Sequence, residues 1–87
     1  MKTVYQVNLR VDVSVIDQYM QWLKMHMEEM LEFKGFERYE LENGVIADGI
    51  QPIKVKYIVR CEADLQDYLE KHAMRMRKDG LKHFGEF

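Results

Sequence analysis

Cysteine, proline and long apolar runs are all scarce in this sequence. Of its 87 residues, one is cysteine and one is proline. A lone Cys61 cannot form an intrachain disulfide, which excludes the disulfide-stapled class of small secreted domains. No run approaches the roughly 20 apolar residues that span a bilayer, and the alternating N-terminus lacks the apolar stretch of a signal peptide. These absences favour a cytoplasmic protein that does not associate with a membrane.

Strong charge of either sign is also missing. The formal net charge is -2 and the isoelectric point is near 5.9, so nothing draws the whole molecule to nucleic acid. Apolar residues make up 47% and charged residues 32%, which is typical of a globular chain. We expect residues 1–87 to form a single domain with a thin core, since a domain of this size buries only about 60% of its unfolded surface. Partner chains often supply the missing burial.

Alternating apolar residues predict two clear strands, over residues 3–11 and from Ile53 to Cys61. The apolar side carries Tyr5, Val7, Leu9 and Val11 in the first, and Ile53, Val55, Tyr57, Val59 and Cys61 in the last. The polar side carries Gln6, Asn8 and Arg10 in the first, and Lys54, Lys56, Ile58 and Arg60 in the last. A less regular strand is predicted from Phe36 to Glu42. After it, the chain either forms a long loop with two turns or resumes the strand through Val45 and Ile46.

Two amphipathic helices separate or follow these strands. The first begins after Ser14, which with Asp17 resembles a capping box, and runs to about Phe33. Gly35 is expected to end it in a left-handed conformation. Asp64 is expected to cap the second helix, and Gly80 is expected to end it. Its last turns hold a basic cluster that suits the helix dipole and stays solvated: Arg75, Arg77, Lys78, Lys82 and His83.

The order β-α-β-β-α predicts an α+β, ferredoxin-like split β-α-β fold. We expect an antiparallel sheet with both helices on one face and with the third strand between the first and the second. Only residues 83–87 remain for a fourth strand beside the first. That strand is therefore short or missing, and an open edge on the first strand would invite pairing with another chain.

The second helix carries a recognisable pattern. Tyr68-Leu69-Glu70-Lys71-His72-Ala73, followed by Arg75, Arg77, Gly80-Leu81 and Phe84-Gly85, fits Y-L-x-x-H-A-x-R-x-R-x-x-G-L-x-x-F-G. Trp22-Leu23, His26 and Gly35-Phe36 match more weakly. The sequence resembles a family of small bacterial domains of unknown function with a ferredoxin-like fold, related to the dimeric α+β barrels.

The resemblance implies a homodimer whose open sheet faces pack together. Some relatives in that superfamily are haem-degrading or cofactor-free monooxygenases. The sequence departs from the family after His26, where Met27-Glu28-Glu29 replaces the usual proline, and at the final strand, which is cut short after Phe87.

Two histidines are the first candidate site residues. His72 lies on the apolar face of the second helix, and His26 belongs to a secondary stripe with Tyr19, Trp22 and Phe33. His72 could be a ligand or an acid-base group tuned by burial, and His26 could belong to a pocket wall or be a haem-side histidine. The plainer interpretation is that both are packing residues. Their spacing, with that of His83, does not match a metal site, so no metal and no cofactor are predicted.

The polar sheet face supplies the other candidates. If two subunits pack sheet to sheet, Arg10, Lys56 and Arg60 would line a polar cavity and hold a carboxylate or phosphate. If the face is exposed, it is an ordinary wet surface of an antiparallel sheet. RNA recognition would require stacking aromatics on this face, and only Phe36 is a candidate.

Two hypotheses follow for the function. The first is a homodimeric, non-catalytic module that binds a small anionic ligand or a protein partner through its polar sheet face or open edge. The alternative is a dimeric α+β barrel enzyme of the monooxygenase or haem-degrading type, with His26 or His72 as ligand or base. An enzyme cavity typically has apolar walls with a few polar groups. Because the predicted sheet face is mostly polar or charged, it favours the first hypothesis.

Overall fold

The computed structural model describes residues 1–84, with side chains described as far as Lys78. This part of the chain contains three strands, three α-helices and one short 3-10 turn. The strands are β1 (Thr3–Asp12), β2 (Phe36–Asn43) and β3 (Ile50–Val59). The helices are α1 (Ile16–Met30), α2 (Glu62–Lys71) and α3 (Ala73–Phe84), and Val13–Val15 form the 3-10 turn. The predicted α+β class is confirmed.

The strands form one antiparallel sheet in the order β1-β3-β2. β3 pairs with β1 along its whole length, from Thr3 opposite Val59 to Asp12 opposite Ile50. It pairs with β2 less regularly, because a bulge lies between Phe36 and Arg38. The expected central position of the third strand is therefore confirmed.

The core lies on the apolar side of this sheet. Alternation buries Val55, Tyr57 and Val59 of β3 almost completely, at 2% exposure or less. The α1 stripe adds Tyr19, Leu23, Met27 and Met30, and α2 and α3 add Tyr68, Ala73 and Met76. This is one contiguous core, as expected of a single small domain.

The start of α1 differs in detail from the prediction. Asp12, at the end of β1, accepts a hydrogen bond of 2.8 Å from the backbone N–H of Ser14. The Asp12 carboxylate therefore caps the 3-10 turn that precedes α1, whereas the sequence predicts that Ser14 caps the helix itself. At the other end α1 stops at Met30 rather than Phe33, and a turn leads to Gly35, whose φ of +86° confirms the predicted left-handed conformation.

The second predicted helix is in fact two helices. His72 has φ -126° and ψ -26°, and separates α2 from α3. Hydrogen bonds from His72 N–H to the Tyr68 carbonyl (2.8 Å) and from Met76 N–H to the His72 carbonyl (3.1 Å) bridge the break. The prediction that Gly80 ends the helix was wrong, since α3 continues to Phe84. An interior glycine costs a helix only about 1 kcal/mol and need not end it.

The two uncertain segments of the sequence have different outcomes. Val45 and Ile46 belong to no strand and are exposed, so β2 does not resume, and β3 begins at Ile50 rather than Ile53. In the tail, His83 and Phe84 are helical. Residues 85–87, the rest of the segment left for a fourth strand, lie outside the described residues.

Among the helices of the described residues, none has the length and apolar character needed to cross a bilayer.

Gly35 fits a junction that no other residue could occupy without strain. A Cβ atom there would lie 2.4 Å from Asp64 Oδ2, and the Gly35 carbonyl accepts a 2.7 Å hydrogen bond from Arg60 N–H. Gly49 has a similar φ of +74°, but a Cβ atom would meet nothing within 4 Å. Gly35 therefore carries both a conformational and a steric requirement, and Gly49 only the first.

We expect Gly35→Ala to lower the free energy of unfolding by about 3 kcal/mol or more, and Gly49→Ala by about 1 kcal/mol. Urea denaturation followed by far-UV circular dichroism measures both. Equal losses in the two variants would show that the contact with Asp64 is unimportant.

Candidate functional site

A groove opens between the apolar side of the sheet and the helices. Its cavity volume is about 320 Å³, at the lower end of the roughly 300–1,000 Å³ typical of small-molecule pockets. The lining residues come from five elements: Tyr5, Val7 and Leu9 of β1, Tyr19, Trp22, Leu23, His26 and Met30 of α1, Val55 and Tyr57 of β3, Tyr68 of α2, and Met76 and Arg77 of α3.

Local periodicity explains how these side chains meet. Positions 19, 22, 23, 26 and 30 follow the three- and four-residue spacing of one helix face. Positions 5, 7 and 9 follow the two-residue spacing of one strand face. The same patterns that build the core therefore build the groove, and the β1 residues in it are only half-buried.

Aromatic rings form nearly half of the groove wall. The Tyr5 ring lies 6.0 Å from the Tyr57 ring and 5.9 Å from the Tyr68 ring, measured between centroids. On α1, the Trp22 ring stacks on the His26 imidazole at 4.7 Å with an interplanar angle of 17°. Such a wall offers rigid, apolar contact area with a few polar atoms at its margin.

The Tyr19, Tyr57 and Tyr68 hydroxyls in the wall stay protonated at neutral pH, because burial raises the pKa of each. Burial raises the pKa of Tyr68 to about 12; the nearby Tyr5 adds to this rise, and Arg77 and Arg75 oppose it. Burial also raises the pKa of Tyr57 and of Tyr19 above their ordinary values. The Tyr68 hydroxyl donates to Met30 Sδ at 3.4 Å, which is a weak acceptor.

Of the predicted site residues, only His26 lies in the groove. His72 sits at the break between α2 and α3, with its ring 4.7 Å from that of Phe33. It is half-buried rather than central to a helix face. Whether either histidine binds a ligand or acts chemically stays a prediction.

Arg10 and Lys56 lie on the opposite, polar face of the sheet, as expected. Arg60 follows the end of β3, and its Nη2 atom lies 2.7 Å from Asp64 Oδ2, so this guanidinium already has an anionic neighbour. The proposed anion site of these three residues stays a prediction. In the described part of the chain, no group of three or more His, Cys, Asp or Glu side chains could hold a metal ion.

Sequence reasoning missed the acidic side chains on the polar face. Arg38 Nη1 lies 2.7 Å from Glu40 Oε2, and Lys54 Nζ lies 3.8 Å from Glu42 Oε2. The alternation of Phe36 to Glu42 could have placed Glu40 and Glu42 beside the β3 lysines. The face is therefore mixed in charge.

Sequence reasoning anticipated only one side of the groove. The stripe of Tyr19, Trp22 and His26 indicated either a pocket wall or a packing surface on α1, and the structure places all three in the groove wall. β1 and α3 complete the groove as a cavity. Their positions depend on how the elements pack against one another, and no local sequence pattern predicts that packing.

These features define a small α+β domain with a three-stranded antiparallel sheet and an aromatic-lined groove. The chain belongs to the family described as "Domain of unknown function (DUF4286)", whose model matches residues 2–87. The resemblance to a family of domains of unknown function is thereby confirmed, while the bacterial origin and the relation to the dimeric α+β barrels stay predictions. Comparison with curated proteins and with solved structures gave no match.

The raised pKa of Tyr68 predicts loss of stability at high pH. Because folding favours the neutral phenol, its contribution is fully present below about pH 10 and is lost as the pH rises toward about 12. Circular dichroism against pH, with phenolate absorbance at 295 nm, should show unfolding and ionisation together in this range.

The Tyr68→Phe variant isolates this group. At neutral pH we expect a loss of less than about 1 kcal/mol, since only a weak hydrogen bond to sulfur is removed. Its alkaline unfolding should begin at higher pH than that of the wild type. Superimposable alkaline transitions would contradict the assignment.

Proposed function

We propose that this domain is a homodimeric, non-catalytic binding module that takes a small apolar ligand with one anionic group into the groove. The observation that carries the proposal is the cavity of about 320 Å³, whose aromatic and aliphatic walls include one cationic side chain, Arg77.

The apolar part of the proposed ligand follows from the walls. Tyr19, Tyr57 and Tyr68 have raised pKa values and are neutral at physiological pH. No aspartate or glutamate is among the described residues that line the cavity. A ligand entering it would exchange water for aromatic and methionine surface, which is worth about 25 cal/mol per Å² of apolar area removed from water.

The anionic part follows from Arg77. Its side chain is exposed at the margin, where a guanidinium can bind a carboxylate while the rest of the ligand is buried. Arg77 and Arg75 also oppose the rise in the pKa of Tyr68, so positive potential reaches the wall. We therefore propose the groove, rather than the polar sheet face, as the site of the predicted anionic ligand. On the polar face, acidic side chains lie among the basic ones.

Two features support the homodimer. The half-buried Tyr5, Val7 and Leu9 leave apolar surface along β1, and within the described residues β1 is an edge of the sheet.

The strand order and the contacts of Tyr68 with Tyr5 of β1 and Met30 of α1 support a ferredoxin-like arrangement with the helices on one face. The single Cys61 suits a reducing compartment such as the cytoplasm.

The enzyme alternative now rests on His26, since His72 does not line the groove. An imidazole stacked on Trp22 in an apolar cavity could act as a base. Apart from Arg77, the other described lining residues are aromatic or aliphatic, so binding is the better-supported function.

Octanoate and 1-octanol provide a matched test of this proposal, because they differ only in the head group. We expect octanoate to bind more tightly by isothermal titration calorimetry and to change the fluorescence of Trp22, the only tryptophan in the chain. Arg77→Met should weaken octanoate binding about fivefold, for an exposed charge pair of about 1 kcal/mol, and leave octanol binding nearly unchanged.

Arg75→Met is the control, because it removes an equal charge from α3 that does not line the groove. Equal weakening by both variants would mean that only the general charge of α3 matters. Absence of binding by both ligands to the wild type would remove the proposed function.

A further inference from the structure

We propose that two copies of this chain pair through their β1 strands, which run antiparallel with Val7 at the centre of the pairing. Each copy then contributes side chains to the wall of the other copy's groove. This inference rests on the homodimer of the proposed function and specifies its interface. The occupant of the β1 edge is a second β1, and the product is a continuous six-stranded sheet.

The backbone of β1 is suited to this pairing. The Val13 N–H donates to the Gly49 carbonyl at 2.9 Å, which shows that odd-numbered residues at this end direct their backbone toward β3. The unbroken antiparallel register extends this parity back to Thr3. The even-numbered residues Val4, Gln6, Asn8 and Arg10 therefore direct their N–H and C=O groups outward, away from β3.

β1 also lacks the features that protect sheet edges from pairing. Edge strands are usually guarded by bulges, prolines, dense charge or short length. β2, the other edge, has a bulge at Phe36/Arg38 and charged residues at four of its eight positions. β1 has ten residues in regular register, no proline, and only Arg10 and Asp12 charged.

A two-fold register must keep even residues opposite even residues, or the apolar and polar faces would mix. Centring on Val7 places Gln6 opposite the partner's Asn8. It also places Lys2 opposite the partner's Asp12, so opposite charges meet at both ends of the paired strands. Centring on Gln6 would instead place Lys2 opposite the partner's Arg10. Centring on Asn8 would leave Lys2 beyond the paired strands. Charge complementarity therefore selects the Val7 register.

The present partners of these end groups leave them available. Lys2 pairs with Glu37, but the Lys2 side chain is 64% exposed and such surface pairs are weak. The Asp12 carboxylate uses Oδ1 to cap Ser14, and that hydrogen bond lowers its pKa, so it is ionised at neutral pH.

The same register extends the groove. Tyr5, Val7 and Leu9 line it from β1, and they are symmetric about Val7. In the dimer, Tyr5 lies opposite the partner's Leu9, and Val7 opposite the partner's Val7. These cross-strand apolar pairs cover the half-buried surface of β1 and join the two grooves across the two-fold axis.

Cysteine cross-linking tests the register. In a Cys61→Ser background, we expect Val7→Cys to form a disulfide-linked dimer under mild oxidation, because the opposed Cβ atoms of a non-hydrogen-bonded pair are close enough for a disulfide. Gln6→Cys and Asn8→Cys are the matched controls. Preferential cross-linking of either control would replace the Val7 register with its own. Cross-linking of Lys56→Cys, on the polar face, with none at these three positions would overturn edge pairing in favour of face-to-face packing.

A proline pair tests the edge itself. Asn8→Pro removes an outward N–H and should halve the mass measured by light scattering while keeping the far-UV circular dichroism spectrum. Leu9→Pro removes an N–H that bonds to β3 and should instead lower the stability of the fold. An Asn8→Pro variant that stays dimeric overturns the inference.

The two proposals fail in different ways. A monomeric wild type that still binds octanoate would overturn edge pairing and keep the ligand site. A Val7-linked dimer that binds no octanoate would keep the interface and remove the ligand site.

Discussion

The two ladders of hydrogen bonds on β3 are the constraint on which the rest of this domain depends. β3 pairs with β1 on one side and β2 on the other, and its apolar side chains reach 2% exposure or less. The core of α1, α2 and α3 packs on those side chains. A chain of 87 residues has little other buried surface, so the placement of this strand fixes the positions of the groove, the charged face and the edge.

The two faces of the sheet have different chemistry because of the two-residue period of β structure. On one face, tyrosines and aliphatic residues meet the helices and leave a groove beside β1. On the other, Arg38 with Glu40 and Lys54 with Glu42 form exposed ion pairs. Such pairs keep the face well solvated but add little stability. The groove is therefore the better candidate for recognition, although the charged face is more conspicuous in the sequence.

Prediction from the sequence succeeded where a local pattern had one structural solution. Alternation in β1 and β3 fixed which side chains are buried, and Gly35 marked a left-handed turn. It failed at Gly80 and at the break at His72, because a glycine is tolerated inside a helix and no residue pattern signals the break. The anion site at Arg10, Lys56 and Arg60 stays a prediction. Of the groove, the sequence indicated only His26, since composition shows charge but not the space between packed elements.

The sequence by itself determined the class of fold, the order of the strands and the two faces of the sheet, because these follow from hydrophobic periodicity and chain connectivity. Only the tertiary structure brought Tyr5, Trp22, His26 and Arg77 around one cavity and separated His72 from it. Only it showed that, within residues 1–84, β1 is a regular edge of the sheet while β2 is bulged. The physical reason is that cavities and edges are produced by packing between distant segments, and the space left between those segments is not encoded in the pattern of any one of them.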